Sequence, residues 1–424
     1  MTRVTCKIKD VISEVKSGDW GKGSPTENYT TEVLCVRGAD IPELCKGNVG
    51  KMPQRFIHNK KATSKILSAN NLIIEISGGS PTQSTGRIAL ISDKILSRYS
   101  KPLICSNFCK AITATGIQPE YLFNYWLYLY NKDAMFPYEN GTTGIKNLDF
   151  NSFIQEQDIS IPDIKTQQKI VSILSSIDEK IETNKRINDN LEEQAKALFK
   201  SWFVDFEPFK GGKFVDSKLG PIPEGWSIGK VNDVVQILSG FAFKSETFVQ
   251  SGPYRLITIK GVQDGYLDIS GASYISKVPL KMPAYCNLEI GDILLSLTGN
   301  VGRVCIVDRP NLLLNQRVAK LQPRRDKQDL LFVYILFRQD TFKNHLLQIA
   351  RGTAQLNLSP VETREISIIL PPANVLLEFS KIGQYLFDKI ALSNQETLRL
   401  SALRDTLLPK LMSGELSVEE VSFD

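Results

Sequence analysis

An internal repeat constrains the fold of this chain more than any other feature of its sequence. At an offset of 209 residues, apolar positions spaced alternately four and three apart recur in two segments of the 424-residue chain. The matched positions are Ile170 with Phe379, Leu174 with Gly383, Ile177 with Leu386, Ile181 with Ile390, Leu191 with Leu400 and Leu198 with Leu407. Such spacing is typical of a coiled-coil seam, which predicts two long helices, roughly 166–203 and 375–412.

Polar residues interrupt both seams near the middle of each predicted helix. If the helices pack antiparallel with their midpoints level, Asn184 and Asn188 face Ser393 and Thr397, and the four side chains can satisfy one another. A parallel pairing matches the same layers, and the simplest alternative is two ordinary surface helices; the long, narrow apolar stripe favours paired helices. The predicted helix-pairing residues are Ile170, Leu174, Ile177, Ile181, Asn184, Asn188, Leu191 and Leu198 in the first helix, and Leu386, Ile390, Ser393, Thr397, Leu400 and Leu407 in the second.

The repeat continues upstream of each predicted helix with small shifts. Leu34–Gly38 resembles Ile257–Gly261, and Asn71–Gly78 resembles Asp292–Gly299. These apolar runs are short and β-branched and are separated by Gly, Asn and Asp, which predicts strands, with a helix near 119–132 and a counterpart near 328–349. We therefore expect an α+β fold in which two mixed α/β domains alternate with two long helices. The predicted segments are 1–155 and 206–368 for the domains, and 156–205 and 369–424 for the helices.

Composition excludes several classes of protein. With 42% hydrophobic residues the chain can fill two cores, and no stretch approaches the ~20 apolar residues that a membrane helix needs. The N-terminus has no apolar core of a signal peptide. Seven cysteines in mostly strand-like surroundings indicate reduced thiols, not disulfides or zinc ligands. We therefore expect a cytoplasmic protein.

The positive charge of the chain lies in the two predicted domains. Residues 1–150 carry 19 basic and 13 acidic side chains, and residues 206–365 carry 20 and 15. The segments that contain the helices are acidic, with 7 basic and 10 acidic side chains in 151–205 and 5 and 8 in 366–424. This distribution is expected if the domains bind a polyanion and the helices contact protein or water.

No motif for catalysis has the spacing that its chemistry requires. Gly18–Ser24 departs from the pattern of a phosphate-binding loop, and Val204–Phe209 lacks the first proline of the motif of amino-methyltransferases. Asp178–Lys180 resembles part of a magnesium-dependent nuclease site, but it lies within the helical seam, which predicts a solvated helix face. We therefore predict no catalytic residue and no metal site.

Binding is the remaining function, because basic, amide and hydroxyl side chains cluster in predicted loops of both domains. Arg matches the edge of guanine and Asn or Gln that of adenine in the major groove, while Lys and Thr suit phosphates. For each residue the alternative is a loop network that faces water. The predicted DNA-binding residues are Arg55, Lys60, Lys61, Gln83, Arg87, Thr143 and Lys146 in the first domain, and Lys244, Asn300, Arg303, Gln316, Arg317, Arg351 and Gln355 in the second.

Five stretches of the sequence resemble the specificity subunit of type I restriction–modification systems. Pro162–Ile170 resembles the opening of the central spacer helix of that family, and Ala197–Pro208 resembles its end. Leu219–Trp226 is similar to the opening of the second recognition domain, Gly291–Leu294 to a strand within it, and Leu403–Leu411 to the C-terminal end. The resemblance as a whole covers the chain essentially from end to end.

The resemblance implies a non-catalytic subunit with two target-recognition domains, each of which binds half of a bipartite, asymmetric site in double-stranded DNA. It implies that the two helices form an antiparallel coiled coil with a pseudo-twofold repeat, and that two modification subunits and the restriction subunits bind this chain. S-adenosylmethionine, ATP and Mg would belong to those partners, with no cofactor in this chain. Two alternatives stay open: a stand-alone catalytic methyltransferase or nuclease, and a structural adaptor without base readout.

Overall fold

The computed structural model describes residues 3–45, 50–79, 83–141, 145–325, 329–352 and 355–421. The chain divides into a first unit, residues 1–182 with 401–424, and a second unit, residues 183–400. We call residues 3–161 the first lobe and residues 206–370 the second lobe; each belongs to the unit of the same number. Across the described ranges, no helix is both long enough and apolar enough to cross a membrane.

Short strands build the first lobe, because Gly, Asn and Asp end each β-branched run after a few residues. The strands are β1 (Val4–Lys7), β2 (Ile12–Ser17), β3 (Thr31–Val36), β4 (Gln54–Ile57), β5 (Asn71–Glu75), β6 (Ser77–Gly78), β7 (Ile88–Leu90), β8 (Leu103–Cys105), β9 (Cys109–Ala114), β10 (Glu139–Asn140), β11 (Lys146–Leu148) and β12 (Asp158–Ile161). The helices of this lobe are α1 (Ile41–Cys45), α2 (Ala62–Lys65), α3 (Asp93–Leu96), α4 (Pro119–Asn131) and α5 (Phe150–Glu156).

The first lobe contains three small sheets and one further strand pair. Their strand orders are β2-β9-β5-β7, β4-β3-β8 and β10-β11-β6, and β1 pairs with β12. Strands β3 and β8 run parallel, and every residue of β5 is buried. Helix α4 packs beside β7, and the Trp126 indole N–H donates to the Gly86 carbonyl at 2.7 Å. This buried bond fixes the helix against the turn that precedes β7.

The second lobe repeats this architecture. Its strands are β13 (Phe214–Val215), β14 (Ile222–Pro223), β15 (Ser227–Lys230), β16 (Val235–Ser239), β17 (Phe248–Val249), β18 (Tyr254–Ile257), β19 (Tyr274–Ile275), β20 (Asn287–Leu288), β21 (Ile293–Ser296), β22 (Val304–Ile306), β23 (Leu312–Leu314), β24 (Val318–Pro323) and β25 (Ser367–Leu370). The order β16-β24-β21-β22 matches β2-β9-β5-β7, and the parallel pair β18 and β23 matches β3 and β8. Strand β15 pairs with β25 as β1 does with β12.

The short helices of the second lobe differ from the prediction in one place. Helix α7 covers Val231–Val234, and α10 covers Pro360–Arg364. The single helix predicted near 328–349 is two helices, α8 (Leu330–Arg338) and α9 (Asp340–Ile349). The backbone of Gln339 is extended, with ψ of 133°, so it ends α8 and begins α9.

The two long helices lie where the heptad spacing predicts them. Helix α6 covers Ile164–Phe203, and α11 covers Ala373–Ser413. None of the predicted pairing positions is exposed. The buried ones are Ile170, Leu174, Ile177, Asn184, Ile390 and Leu407, and the half-buried ones are Ile181, Asn188, Leu191, Leu198, Leu386, Ser393, Thr397 and Leu400.

Within the second unit, the portions of α6 and α11 pack antiparallel. The Asn188 side-chain amide donates to Asn394 Oδ1 at 2.7 Å, and the ring centroids of Phe203 and Phe379 are 4.8 Å apart. From the first contact to the second, the residue number rises by 15 along α6 and falls by 15 along α11, so the two helices run in opposite directions. The antiparallel alternative of the sequence analysis is correct here.

The polar layer in this seam forms with partners other than those predicted. The Ser393 hydroxyl donates to the Asn184 carbonyl at 3.3 Å, but the Asn184 amide donates to Glu396 at 2.8 Å. Asn188 likewise pairs with Asn394, which lies beside the seam and not at Thr397. Amide side chains extend past the seam line, so they bond to residues next to the predicted ones, Glu396 beside Thr397 and Asn394 beside Ser393.

In the first unit, one residue of the 178–180 triplet contacts the other long helix. The Asp178 carboxylate forms an ion pair with Arg404 at 2.5 Å, whereas Glu179 and Lys180 are exposed. Burial raises the pKa of Asp178, although Arg404 opposes this shift. The prediction of a solvated face is therefore wrong for Asp178, because its position in the heptad turns it toward α11.

A glycine in α11 accommodates a buried leucine of the second lobe. A methyl group built on Gly383 would lie 2.1 Å from a methyl carbon of Leu331, which is fully buried. We expect Gly383→Ala to lower the stability of the protein, because overpacking costs about 1–3 kcal/mol and exceeds the gain in helix propensity of about 1 kcal/mol. Thermal and urea unfolding would measure the change.

Gly211→Ala is the matched control, because no atom lies within 4 Å of its added methyl group. In the double variant Gly383→Ala with Leu331→Ala, the clash is gone, so the two substitutions should cost less together than the sum of their separate costs. Unchanged stability in Gly383→Ala, or strict additivity in the pair, would contradict this account.

Candidate nucleic-acid interface

Each lobe presents a three-residue turn in the same backbone setting. Residues 106–108 connect β8 to β9, and residues 315–317 connect β23 to β24. In the first lobe, Cys109 N–H donates to the Ser106 carbonyl at 2.8 Å and Ile76 N–H to that of Phe108 at 2.8 Å. The corresponding bonds of the second lobe, Val318 to Asn315 and Leu297 to Arg317, measure 2.9 and 3.0 Å. Asn107 and Phe108 therefore occupy the positions of Gln316 and Arg317.

Each lobe also has an equivalent set of three β-bridged residues with an asparagine in the middle. Asn147 pairs with Ser77 and Asn140 in the first lobe, and Asn357 pairs with Thr298 and Arg351 in the second. A loop that begins at a glycine joins Asn140 to Asn147, and another joins Arg351 to Asn357. Gly141 and Gly352 have positive φ, and a methyl group on either would lie within 2.4 Å of a backbone oxygen of its own loop. Only glycine fits without strain at these two positions.

The structure corrects the register of the repeat at the strand before the turn. The sequence alignment placed Leu34 on Ile257. The Val36 carbonyl accepts from Ser106 N–H, however, and the Ile257 carbonyl accepts from Asn315 N–H. Val36 is therefore the equivalent of Ile257, because strand pairing and not local similarity defines structural equivalence.

The predicted DNA-binding residues differ in exposure. Lys60, Lys61, Gln83, Lys244, Asn300, Gln316, Arg317, Arg351 and Gln355 are exposed, and Arg55, Arg87, Lys146 and Arg303 are half-buried. Thr143 lies outside the described residues. An exposed side chain can contact a ligand freely only if it is not already bonded to the protein. Availability therefore depends on the hydrogen-bond and ion-pair partners of each residue.

Arg87 is directed into the first lobe. Its guanidinium donates to both oxygens of Glu75, at 2.8 and 2.5 Å, and Glu75 is only 2% exposed. These hydrogen bonds raise the pKa of Arg87. Methyl groups on Gly38 or Gly78 would each lie 2.4 Å from the Glu75 carboxylate, so both glycines are needed to seat it. Arg87 therefore supports the fold and is not available to a ligand.

Arg55 and Lys146 are held at the surface of the first lobe by neighbouring groups. The Arg55 guanidinium lies 4.0 Å from the ring centroid of Trp20. Lys146 forms an ion pair with Glu139 at 3.0 Å. Burial would raise the pKa of Glu139, but Lys146 and the N–H and hydroxyl of Thr85 outweigh burial and lower it. Both cations are thus oriented before any ligand arrives.

In the second lobe, four of the predicted residues are bonded to protein groups, among them Lys244, which forms an exposed ion pair with Glu246 at 3.5 Å. Arg303 donates to Gln263, and Asn300, with its amide oxygen turned toward the guanidinium, accepts from Arg303 at 3.0 and 3.2 Å. Arg351 pairs with Glu362 in an exposed ion pair. Exposed pairs of this kind are worth little, so Arg351 can exchange Glu362 for another anion at low cost.

The side chains of Gln316 and Arg317 are exposed and, within the described ranges, make no hydrogen bond or ion pair. Their backbone is held by the turn, so they combine a fixed position with unused hydrogen-bonding groups. Such residues are suited to contact the edge of a base.

Exposed aromatic side chains of the first lobe were not among the predicted binding residues, which are all polar or charged. Phe108, at the equivalent of Arg317, is 57% exposed, Phe136 is 66% exposed, and Trp20 is at the margin of exposure. The signal was present, because the repeat already aligned Ser106-Asn107 with Asn315-Gln316, which places Phe108 opposite Arg317.

Among the described residues, no group of three or more His, Cys, Asp or Glu side chains could hold a metal ion. The described surface thus offers two equivalent polar and aromatic turns that suit binding. It offers no arrangement of acid, base and nucleophile that we can identify.

The chain is similar in sequence and in fold to members of one known protein family. The model of the type I restriction modification DNA specificity domain matches residues 6–193 and 223–401, once for each copy of the repeat. The specificity subunit of the type I restriction enzyme MjaIX from Methanocaldococcus jannaschii is 29% identical over 98% of this chain and 94% of its own length. The HindI specificity subunit from Haemophilus influenzae is 28% identical over 61% of this chain and 69% of its own. The S subunit of a type I system from M. genitalium has a similar fold, with a TM-score of 0.52 at 17% identity, covering 97% of this chain and 96% of its own.

Two of the arginines predicted to bind DNA should respond differently to truncation. We expect Arg87→Ala to destabilise the protein by about 3–5 kcal/mol, because it leaves the Glu75 carboxylate buried without its partner. Arg317→Ala removes an exposed side chain and should leave the unfolding temperature unchanged. Thermal unfolding monitored by calorimetry tests both. An unfolding temperature unaltered in Arg87→Ala would contradict the structural role of that residue.

Proposed function

The chain belongs to the family of type I restriction–modification DNA specificity proteins, and from this premise we propose that each lobe recognises one half of a bipartite, asymmetric DNA site through its three-residue turn. The chain is the specificity subunit of a multisubunit enzyme and has no catalytic role of its own. The proposal concerns which residues contact DNA and how the two half-sites come to differ.

One observation carries the proposal: the same backbone turn recurs in both lobes with different exposed side chains. Asn107 and Phe108 in one lobe correspond to Gln316 and Arg317 in the other. A duplicated frame with unlike side chains suits recognition of two unlike sequences. A purely structural adaptor would have no use for unpaired polar groups at both turns.

Exposed lysines of the two lobes would supply the second component of binding. Lys60 and Lys61 in the first lobe and Lys244 in the second are exposed. Lysine is a compact charge that suits phosphate oxygens, so these residues would set affinity without reading sequence. Binding should then weaken steeply as salt concentration rises.

The chemistry would belong to other subunits. Two modification subunits would provide the S-adenosylmethionine-dependent methylation, and restriction subunits would use ATP and Mg for translocation and cleavage. We propose that the assembled enzyme works in the cytoplasm, where its DNA substrate lies. This chain would contribute sequence recognition and a binding surface for the partners.

Substitutions in the two turns should relax one half-site each. In the enzyme assembled with its modification subunits, Arg317→Ala should lower discrimination in the half-site of the second lobe by about 5- to 160-fold at one base pair, equivalent to about 1–3 kcal/mol. Asn107→Ala should do the same only in the other half-site. Sequencing of methylated positions in a plasmid library would show both effects.

Lys60→Ala is the control, because loss of a phosphate contact should weaken binding to all sequences alike. If both turn variants relax the same half-site, or neither relaxes any, the assignment of the turns is refuted. Methylation or cleavage by the purified chain alone would favour the catalytic alternative. Equal affinity of the assembled enzyme for all duplexes would favour the adaptor.

The length of the helices should determine the gap between half-sites. We expect that seven residues added to both α6 and α11, which preserve the heptad pattern, lengthen each helix by about 10 Å and change the number of base pairs between the half-sites. The half-site sequences themselves should stay the same, because the turns are untouched. Mapping of methylated sites would test this, and altered half-sites would refute it.

A further inference from the structure

The first lobe has a cavity beside its turn that could accept part of a base. Its volume is about 540 Å³, and Trp20 and Phe108 form two of its walls. Gly38, Ala39 and Gly78 contribute further apolar surface. The Trp20 ring is held by the Arg55 guanidinium stacked on it. The cavity is therefore lined largely by carbon and opens at the residues assigned above to the DNA interface.

The charged groups that line this cavity are already paired within the first lobe. Both carboxylate oxygens of Glu75 accept hydrogen bonds from Arg87, and the Arg37 guanidinium donates to both oxygens of Asp40 at 2.9 and 3.1 Å. An ion of either sign would therefore gain little from these neutralised pairs. An apolar group is the remaining occupant, and the Asn107 amide, which also lines the cavity, is a polar neighbour for it.

The equivalent space in the second lobe is filled. By the corrected register Ile259 occupies the position of Gly38, and Ser296 occupies that of Glu75. The Ile259 side chain lies 3.5 Å, and the Gln355 amide 3.3 Å, from the point where a methyl group on Gly299 would stand. Gly299 is the equivalent of Gly78. Among the described residues, Ile259 and Gln355 therefore occupy, beside Gly299, space that is open beside Gly78 in the first lobe.

We infer that the first lobe recognises the 5-methyl group of a thymine through Phe108 and the adjoining cavity, whereas Arg317 of the second lobe recognises a guanine at the equivalent position. Thymine presents its methyl group beside the O4 acceptor in the major groove, which matches an apolar pocket beside an amide donor. Guanine presents the N7 and O6 acceptors that a guanidinium binds with two hydrogen bonds. This inference rests on the proposed function and adds the base class that each lobe selects.

The test uses base analogues in the assembled enzyme with its modification subunits. Once methylome sequencing has given both half-sites, each thymine on either strand of the first half-site is replaced in turn by uracil, which lacks only the methyl group. We expect one replacement to weaken binding by about fourfold, the equivalent of about 0.8 kcal/mol for one buried methyl group. In Phe108→Ala, the thymine and uracil duplexes should bind equally well.

The second half-site provides the reciprocal measurement. Replacement of one guanine by 7-deazaguanine, which lacks the N7 acceptor, should weaken binding of the unmodified protein but not of Arg317→Ala. Phe248→Ala is the control, because it removes an exposed aromatic ring outside both turns and should preserve the difference between thymine and uracil.

The inference is overturned if the first half-site contains no A·T pair, if no uracil replacement weakens binding, or if the difference between thymine and uracil persists in Phe108→Ala. It is equally overturned if no 7-deazaguanine replacement in the second half-site has an effect. In each of these cases the enzyme still binds a specific sequence, so the proposed function stands. Loss of sequence preference altogether would refute the proposed function first.

Discussion

Main-chain hydrogen bonding at the two turns is the constraint on which the interface depends. The turn before β9 and the turn before β24 make the same set of backbone hydrogen bonds. None of these bonds involves a side chain of residues 107–108 or 316–317. The side chains at those positions are therefore not needed to stabilise the turn. Two lobes of one architecture can for this reason present aromatic chemistry in one case and cationic chemistry in the other.

The long helices could be predicted from sequence almost to the residue, because a heptad seam is a local and periodic signal. The partners within the seam could not. Asn184 and Asn188 were correctly placed in a polar layer, but which groups their amides reach depends on side-chain direction and on the exact axial position of α11. Asp178 shows the same limit: its type suggested a solvated face, and only its angular position on the helix places it against Arg404.

The binding residues were predictable as chemical types but not as individuals. Arg87 and Arg317 each directly precede a strand, so their sequence context does not distinguish them. Pairing of β5 with β7 brings Glu75 to Arg87, whereas Arg317 belongs to the turn before β24 and makes no ion pair among the described residues. The two-residue error in the register of the repeat had the same origin, because similarity between short apolar strands does not define their hydrogen-bonded neighbours.

The packing of Glu75 against Gly38 and Gly78 has an evolutionary consequence. A larger residue at either glycine collides with the Glu75 carboxylate. A smaller residue in place of Glu75 leaves the Arg87 guanidinium without its ion-pair partner. The three positions must therefore mutate together or not at all. Phe108 lines the same cavity but is under no such linkage. Natural substitutions should accordingly accumulate at the tip of the turn, whereas Gly38, Glu75 and Gly78 change slowly. A lineage can then acquire new target sequences by single codon changes without passing through unstable intermediates.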